Sequence, residues 1–324
     1  MNNNKFQSIW FEAKDHCSLK NLEIQTSSSR EAIIVQTLYS LISQGTEQHV
    51  FSGNMPTENS SKMEIPYQIN AFNYPFNYGY SLVGKVLEGP AKFINKTVHL
   101  LHPHTSMAFV KAENCTLIPN DLDNDMAPLL SQMQTAITAI WDSKIVFGDK
   151  ILIQGFGLIG ALIACILKSR IDSEIEIYEP NEKRNKLAKS LGFNTTSLKN
   201  KNEDINIIFY CTSNSKGLDY AMKRLITDGK LVQVGWFGNQ ATKLNLGTHF
   251  HLKRINWISS QVSVIPPSIG ANWTFKSRNE LAFKCLKHPI FKQLSKKVTP
   301  FSQVSQKYKS LLEHPSLIQL LSYN

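Results

Sequence analysis

The chain has 324 residues, enough for two domains or one large one with ample interior for packed cores. Its 42% hydrophobic and 19% charged residues are ordinary for a soluble globular protein. The net charge of +10 is spread along the chain with no basic helix and no Arg-rich arm, so no nucleic-acid partner is expected.

The opening "MNNNKFQSIWFEAKDH" is polar and mixed, with no apolar core segment or small-residue cleavage site, and a cytoplasmic location is expected from it. Cys17, Cys115, Cys165, Cys211 and Cys285 are odd in number and form no C-x-x-C pair, which reads as free thiols in a reducing compartment. Residues 1–130 read as strands and loops: "EAIIVQTLYSLIS", "YSLVGKVLEG" and "KTVHLLHPH" are apolar runs bounded by Gly, Pro and Asn. The polar, Pro-containing stretch 52–77 reads as a long surface loop.

At about residue 126 the texture changes. "MAPLLSQMQTAITAIWDSKI" has helical apolar spacing, "ILIQGFG" reads as a strand, and "LIGALIACILKSR" as a helix ending in basic residues. "EIEIYE" is a predicted strand, "NEKRNKLAKSLGF" a helix closed by Gly192, and "INIIFYCT" a strand. "SKGLDYAMKRLITDG" reads as a helix, and "KLVQVGW" and "NWISSQVS" as strands. Strands alternating with helices predict a parallel sheet of right-handed βαβ units. Residues 280–324 return to short helices and strands.

The stretch "ILIQGFGLIG" decides between two chemistries. The apolar run from Ile151 is 18 residues long and holds Gln154 and three glycines, whereas a membrane span needs about 20 apolar residues. The strand–turn–helix context instead fits a dinucleotide site, so no membrane association is expected. Gly155 permits the tight turn, Gly157 lets backbone approach a pyrophosphate, and Gly160 lets helix pack close on sheet. Leu158 and Ile159 open the helix whose N–H groups and positive dipole end would face the phosphates. Glu179 follows Gly160 by nineteen residues, where an acid accepts hydrogen bonds from the ribose hydroxyls and repels a 2′-phosphate. NAD(H) is therefore favoured, while Lys183 and Arg184, which could cradle a phosphate, leave NADP(H) open.

With these residues the chain resembles the medium-chain dehydrogenase/reductase superfamily, that of zinc alcohol dehydrogenases and quinone reductases. "SQGTEQHVFSG" is similar to the family's C-G-T-D-x-H-x-x-x-G turn, and "FNYGYSLVGKVLEG" to its G-H-E-x-x-G-x-V motif. "LLSQMQTAITAIWDSKIVFGDKILIQGFGLIG" is similar to the helix that leads into the nucleotide turn. Within it, the chain resembles the subgroup around bacteriochlorophyllide dehydrogenase and unassigned zinc-binding dehydrogenase-like proteins, as a zinc-less member. The resemblance implies an α/β fold in which a Rossmann doubly wound parallel sheet is inserted in a β-rich, GroES-like catalytic domain. Its expected boundaries are 1–129 for the first catalytic part, 130–276 for the NAD-binding Rossmann domain, and 277–324 for the catalytic return.

The departures from the family pattern bear on chemistry. Gln44 stands where the family has its first zinc-ligating Cys, Tyr80 where it has the His, Ser81 where it has the following acid, and Ser131 at or near the second Cys. None is a good zinc ligand, and the four-cysteine structural lobe is missing as well, so no metal is expected. Thr46 and His49 match the family's hydroxyl and imidazole proton relay, with Glu47 matching the acid beside them.

His102 falls where the family places a substrate-pocket residue. A His with near-neutral pKa there could donate the proton that a Lewis acid would otherwise render unnecessary. Tyr80 could donate a hydrogen bond instead; the plain alternatives are a Pro turn bracketed by His102 and His104, and packing for Tyr80. Tyr74, Phe76, Tyr78 and Tyr80 read either as aromatic pocket walls or as core.

The expected function is zinc-independent, NAD(H)-dependent hydride transfer between the nicotinamide and an alcohol or carbonyl, with the nicotinamide in the interdomain cleft near Thr46, Tyr80 and His102. The alternatives are NADPH-dependent enone or quinone reduction, and a non-catalytic dinucleotide-binding protein. The partner is a small organic substrate. By family analogy the chain forms a homodimer through the edge strand "NWISSQVS".

Overall fold

The computed structural model describes residues 5–23, 32–56, 58, 60–171 and 173–323. In chain order, β1 (Lys5–Ala13) and β2 (His16–Glu23) form a hairpin, followed by β3 (Ala32–Leu41) and α1 (Gln44–Phe51). Then come β4 (Leu82–Glu88), β5 (Thr97–Leu100), β6 (Met107–Lys111), β7 (Thr116–Leu117) and α2 (Leu130–Ser143). The alternating part runs β8 (Lys150–Gln154), α3 (Leu158–Arg170), β9 (Glu174–Tyr178), α4 (Glu182–Ser190), β10 (Asn194–Thr195), β11 (Ile205–Tyr210), α5 (Leu218–Arg224), β12 (Leu225–Gln233) and β13 (Asn256–Ser259). The chain closes with α6 (Phe275–Leu286), α7 (Pro289–Lys292), β14 (Lys296–Pro300), α8 (Val304–Leu312) and β15 (Ile318–Ser322).

Two compact units result. One holds Met1–Ser131, Lys296–His314 and Ile318–Asn324; the other holds Gln132–Ser295 and Pro315–Leu317. The first boundary lies two residues from the expected one, but the second falls at 295/296 rather than 276/277. The correction has a physical cause: α6 is bound to α2. Arg278 Nη1 donates to Thr138 Oγ1 at 2.9 Å and to Val262 O at 2.7 Å, and Gln134 bonds Asn279.

The first unit is built on a seven-stranded sheet ordered β14-β15-β3-β4-β5-β7, with β6 on β3. β3 is antiparallel to β4, β6 and β15. Its core gathers Phe11, Phe51, Phe76, Tyr78 and Tyr308, all nearly inaccessible to solvent. Phe76 and Tyr78 are therefore core, while Tyr74 and Tyr80 are only partly buried against it. "SQGTEQHVFSG", expected as a turn, is mostly the two-turn helix α1.

The second unit is a parallel sheet ordered β10-β9-β8-β11-β12-β13. β8 is central, pairing β9 through Ile151↔Ile175 and β11 through Ile151↔Ile207. Covered on both faces, it needs an unbroken apolar run, and residues 151–154 are all buried. α3 is apolar nearly all round, as a core helix must be, with Gly160 to Leu167 buried. No helix among the described residues is long and apolar enough to cross a membrane.

Two predicted elements end early. The helix over 215–229 stops at Arg224, and β12 starts at Leu225. Arg224 is fully buried there, tied by Nη2 to Glu176 at 3.0 Å and by Nε to Asn202 O at 2.7 Å, while β-branched Ile226 and Thr227 continue as strand. Of "NWISSQVS", only Asn256–Ser259 pairs with β12.

Candidate functional site

The glycine turn lies where β8 passes into α3, at the point where chain connections switch from one side of β8 to the other. In open parallel sheets that is where ligands bind. Gly155 has φ +100°, a region open to glycine, and a Cβ on it would lie 3.0 Å from Cys211 O. A Cβ on Gly160 would lie 2.0 Å from Gly155 O, so helix and strand can approach only without one. Gly157 differs: among the described residues, the nearest atom to its Cβ position beyond chain neighbours is Arg184 Nη1, at 3.8 Å, and no other lies within 4 Å. Gly157 is also the N-cap of α3 and supplies no side-chain cap. The N–H groups of Leu158, Ile159 and Gly160 lack carbonyls one turn back in the helix and point out of its positive end.

Glu179 is buried beside this turn. Its Oε2 accepts from Phe156 N at 2.7 Å and its Oε1 from Asn181 N at 2.8 Å. The acid expected at the ribose is thus anchored onto the middle of G-F-G. Asn181 caps α4, accepting from Lys183 N and Arg184 N. Arg184 Nε donates to Pro315 O at 3.1 Å, a partner 131 residues away that no local signal in the sequence marks. Lys183 is exposed. The open face at Gly157, the outward N–H groups and the adjacent acid and guanidinium fit a nicotinamide dinucleotide.

In the other unit, α1 carries half-buried Thr46 and buried His49 one turn apart, hence on one face. Between them, Glu47 turns inward and is fully buried. Glu47 Oε1 accepts from Ser43 N at 2.7 Å, closing the first turn of α1. Its Oε2 accepts from the Tyr308 hydroxyl and lies 3.0 Å from His104 Nε2. His104 Nδ1 is 2.7 Å from Ser40 Oγ, which in turn is 2.7 Å from Tyr323 Oη. Burial, and then the Glu47 charge, hold the Tyr308 phenol well above its ordinary pKa. Gly79, at φ +121°, packs on the His104 ring, where a Cβ would come within 2.6 Å. The chain then reaches Tyr80, whose hydroxyl donates to Ser43 Oγ.

Thr46, His49 and Tyr80 are therefore attached to one buried cluster, and sequence reasoning missed His104, Tyr308 and Ser40 as its members. His102 lies apart from it. Its Nδ1 is 2.9 Å from Pro103 O, and its ring stacks on Tyr67 at 5.2 Å. Burial pushes its pKa down to about 4, against the weaker opposing effect of the Pro103 carbonyl. Burial thus disfavours the protonated form of His102, against the near-neutral proton donor expected there.

At the positions that the sequence resemblance pairs with zinc ligands, the side chains are bonded elsewhere. Gln44 Nε2 donates to Leu311 O at 3.0 Å and His314 O at 2.7 Å. Tyr80 engages Ser43, and Ser131 Oγ lies 3.3 Å from both Tyr80 O and His99 Nε2. His99 Nε2 also lies 2.9 Å from Ser81 Oγ, and burial lowers the pKa of His99 to about 3. An amide, a phenol and hydroxyls do not make a zinc donor set. Among the described residues no group of three or more His, Cys, Asp or Glu is placed to hold a metal ion.

No profile of a known protein family matches the chain. It is 25% identical over 169 residues to 2-dehydro-3-deoxy-L-galactonate 5-dehydrogenase of Pseudoalteromonas atlantica, a match spanning 46% of this chain and only about half, 49%, of that enzyme. Among solved structures it is similar to acetophenone reductase from Geotrichum candidum in complex with NAD, with a TM-score of 0.80 and 14% identity over 99% of this chain and 98% of that one. It is also similar to a protein described as a zinc-binding dehydrogenase from Sinorhizobium meliloti bound to NADP, with a TM-score of 0.74 and 13% identity over 98% and 99% of the two chains. The likeness to these structures is one of fold along nearly the whole chain: a Rossmann-type parallel-sheet unit whose sequence interrupts a β-rich, GroES-like one.

Proposed function

We propose that the chain is a nicotinamide-dependent oxidoreductase that acts on an alcohol or carbonyl compound, prefers NAD(H) and uses no zinc. The glycine turn carries this reading. Gly155 and Gly160 occupy positions closed to a side chain, Gly157 leaves its face open before a buried helix, and Glu179 stands alongside. The dehydrogenases and reductases that share the fold lend support.

When bound, the dinucleotide supplies the hydride donor or acceptor. The chain's own groups do the rest. N–H groups at the start of α3 hold the pyrophosphate. Glu179 meets the ribose hydroxyls and disfavours a 2′-phosphate. Thr46 and His49 carry the substrate proton as hydroxyl and imidazole on one face of α1. Tyr80 gives its single O–H to Ser43 Oγ; turned from Ser43 to a bound substrate, that O–H meets charge developing on the substrate oxygen, the task a Lewis acid would otherwise perform. Glu47 positions α1 from beneath and does not touch the substrate.

The test is a calorimetric titration of the full chain with NADH and with NADPH, with metal content measured by mass spectrometry on the same sample. Micromolar NADH binding, weaker NADPH binding and no stoichiometric zinc are expected. Absence of binding by either nucleotide would overturn the dinucleotide reading. One zinc per chain would overturn the metal-free reading.

A further inference from the structure

Arg278 is a buried cation without an acid. It stands in the first turn of α6, where its backbone N–H donates to Thr274 O at 3.0 Å, and it is only 3% exposed. Nη1 donates to Thr138 Oγ1 on α2 at 2.9 Å and to Val262 O, just past the end of β13, at 2.7 Å. Nε is buried and has no hydrogen-bond partner. Residues 256–279 contain no Asp or Glu, and Asp142, the acid of α2, is hydrogen-bonded by Ser260. Among the described residues Arg278 makes no ion pair, and burial lowers its pKa. All of these residues belong to the nucleotide-binding unit.

A desolvated charge with no partner is costly, and a cation in the first turn of a helix also meets the positive end of the macrodipole. An anion at this place relieves both costs. We propose that the Nε–Nη2 edge of Arg278 binds a small oxyanion, a carboxylate or a phosphate. Thr138 and Val262 hold the Nη1 corner and fix the plane of the guanidinium. The edge formed by Nε and Nη2 is the one that gives two parallel hydrogen bonds to such a group. Phe275 supports the plane, its ring centroid 5.1 Å from the guanidinium carbon. Phe275 is itself 53% exposed, which brings solvent, and any anion in it, close to the charge. The site uses no residue of the glycine turn, so it stands or falls independently of the dinucleotide reading.

The experiment uses the full chain in chloride buffer at constant ionic strength. Phosphate, sulfate and acetate are titrated by calorimetry into the wild type, Arg278→Gln and Arg278→Lys, and melting temperatures are measured in the same solutions. The wild type should bind one anion at this site and melt at a higher temperature as the anion is added. In Arg278→Gln that affinity should fall about tenfold or more, the scale of a charge-assisted hydrogen bond. Arg278→Lys should recover part of it as a point charge. Tighter binding of phosphate and sulfate than of acetate assigns a phosphate ligand, and the reverse a carboxylate.

Anion binding that persists unchanged in Arg278→Gln belongs to another place, the glycine turn included, and overturns the proposal. So does a wild type that responds to none of the three anions. A loss of stability in Arg278→Gln that is equal in chloride and in phosphate makes the residue a tether for Val262 alone and also overturns it. Should the variants fail to fold, selenate soaked into wild-type crystals decides: an anomalous peak beside Nε and Nη2 is expected, and its absence there refutes the assignment.

Discussion

Glu47 Oε2 lies 3.0 Å from His104 Nε2, and neither side chain reaches solvent. The carboxylate also accepts from Tyr308 and from the backbone N–H of Ser43. A buried polar pair is costly to break by halves, because the survivor stays desolvated and without its partner. The pair also joins α1, β3 and the segment before Tyr80 to helix α8, so the residues proposed for proton handling depend on it for their placement.

Glu47→Ala should therefore destabilise the chain by about 3 kcal/mol or more, as removal of one member of a buried pair does. Tyr308→Phe, which removes a single donor, should cost about 1–3 kcal/mol. Urea unfolding followed by fluorescence measures both. The Glu47→Met/His104→Leu double variant should lose less than the sum of the singles. Strict additivity would show that the two side chains do not act as a pair.

His99 and His102 set an acid limit on stability. Their folded-state pKa values are pushed by burial from 6.5 down to about 3 and about 4. The folded state therefore binds fewer protons than the unfolded state below pH 6.5. Their contribution is complete above that value and is lost as pH falls toward the folded values. Near pH 5 each should contribute a slope of about 1.2–1.4 kcal/mol per pH unit, and the His102 slope should fall by about half at pH 4. Stability measured against pH for His99→Asn should show a shallower acid limb than the wild type, and an unchanged limb would contradict a buried neutral imidazole.

The glycine turn separates folding from binding. Gly160→Ala places a methyl 2.0 Å from the Gly155 carbonyl oxygen and should destabilise the nucleotide-binding unit by about 3 kcal/mol. Among the described residues Gly157→Ala meets nothing closer than 3.8 Å beyond its chain neighbours, and its φ of −74° suits alanine. Its melting temperature should stay near the wild-type value, while NADH affinity falls by roughly tenfold as the methyl enters the phosphate's place. Melting curves and NADH titration on the two variants test both halves.

Gln44 uses its amide to hold Leu311 and His314 carbonyls, so placing a thiol there should not create a metal site. Gln44→Cys should lose about 1–2 kcal/mol with the two hydrogen bonds and should not take up stoichiometric zinc. For the wild type, dialysis against a chelator should leave the melting temperature unchanged. Zinc uptake by the variant, or a chelator-induced drop in the wild type, would refute the reading of these positions as non-ligating.

Local pattern was enough for the nucleotide-binding half. The bounds of α3, residues 158–170, follow directly from an apolar run that starts after G-F-G and ends in basic residues. The strand before it is legible because a central parallel strand must be apolar on both faces. Glycine spacing is equally local, since the clash that forbids a Cβ at Gly160 is with Gly155, five residues earlier.

Where periodicity is weak and long-range packing decides, the sequence misled. Residues 225–229 carry a helical-looking continuation, yet Arg224, buried against Glu176, ends the helix and the chain joins the sheet. The polar cluster depended on tertiary structure altogether. His102 and His104 are two residues apart and chemically alike in sequence, but only His104 meets Glu47, because that pairing spans 57 residues and Tyr308 joins it across 261. Arg184 and Pro315 meet across 131 residues on the same terms. Spacing along a chain determines which face of a helix or strand a side chain occupies. Which partner it finds there is decided only when distant elements pack and each buried donor must be given an acceptor.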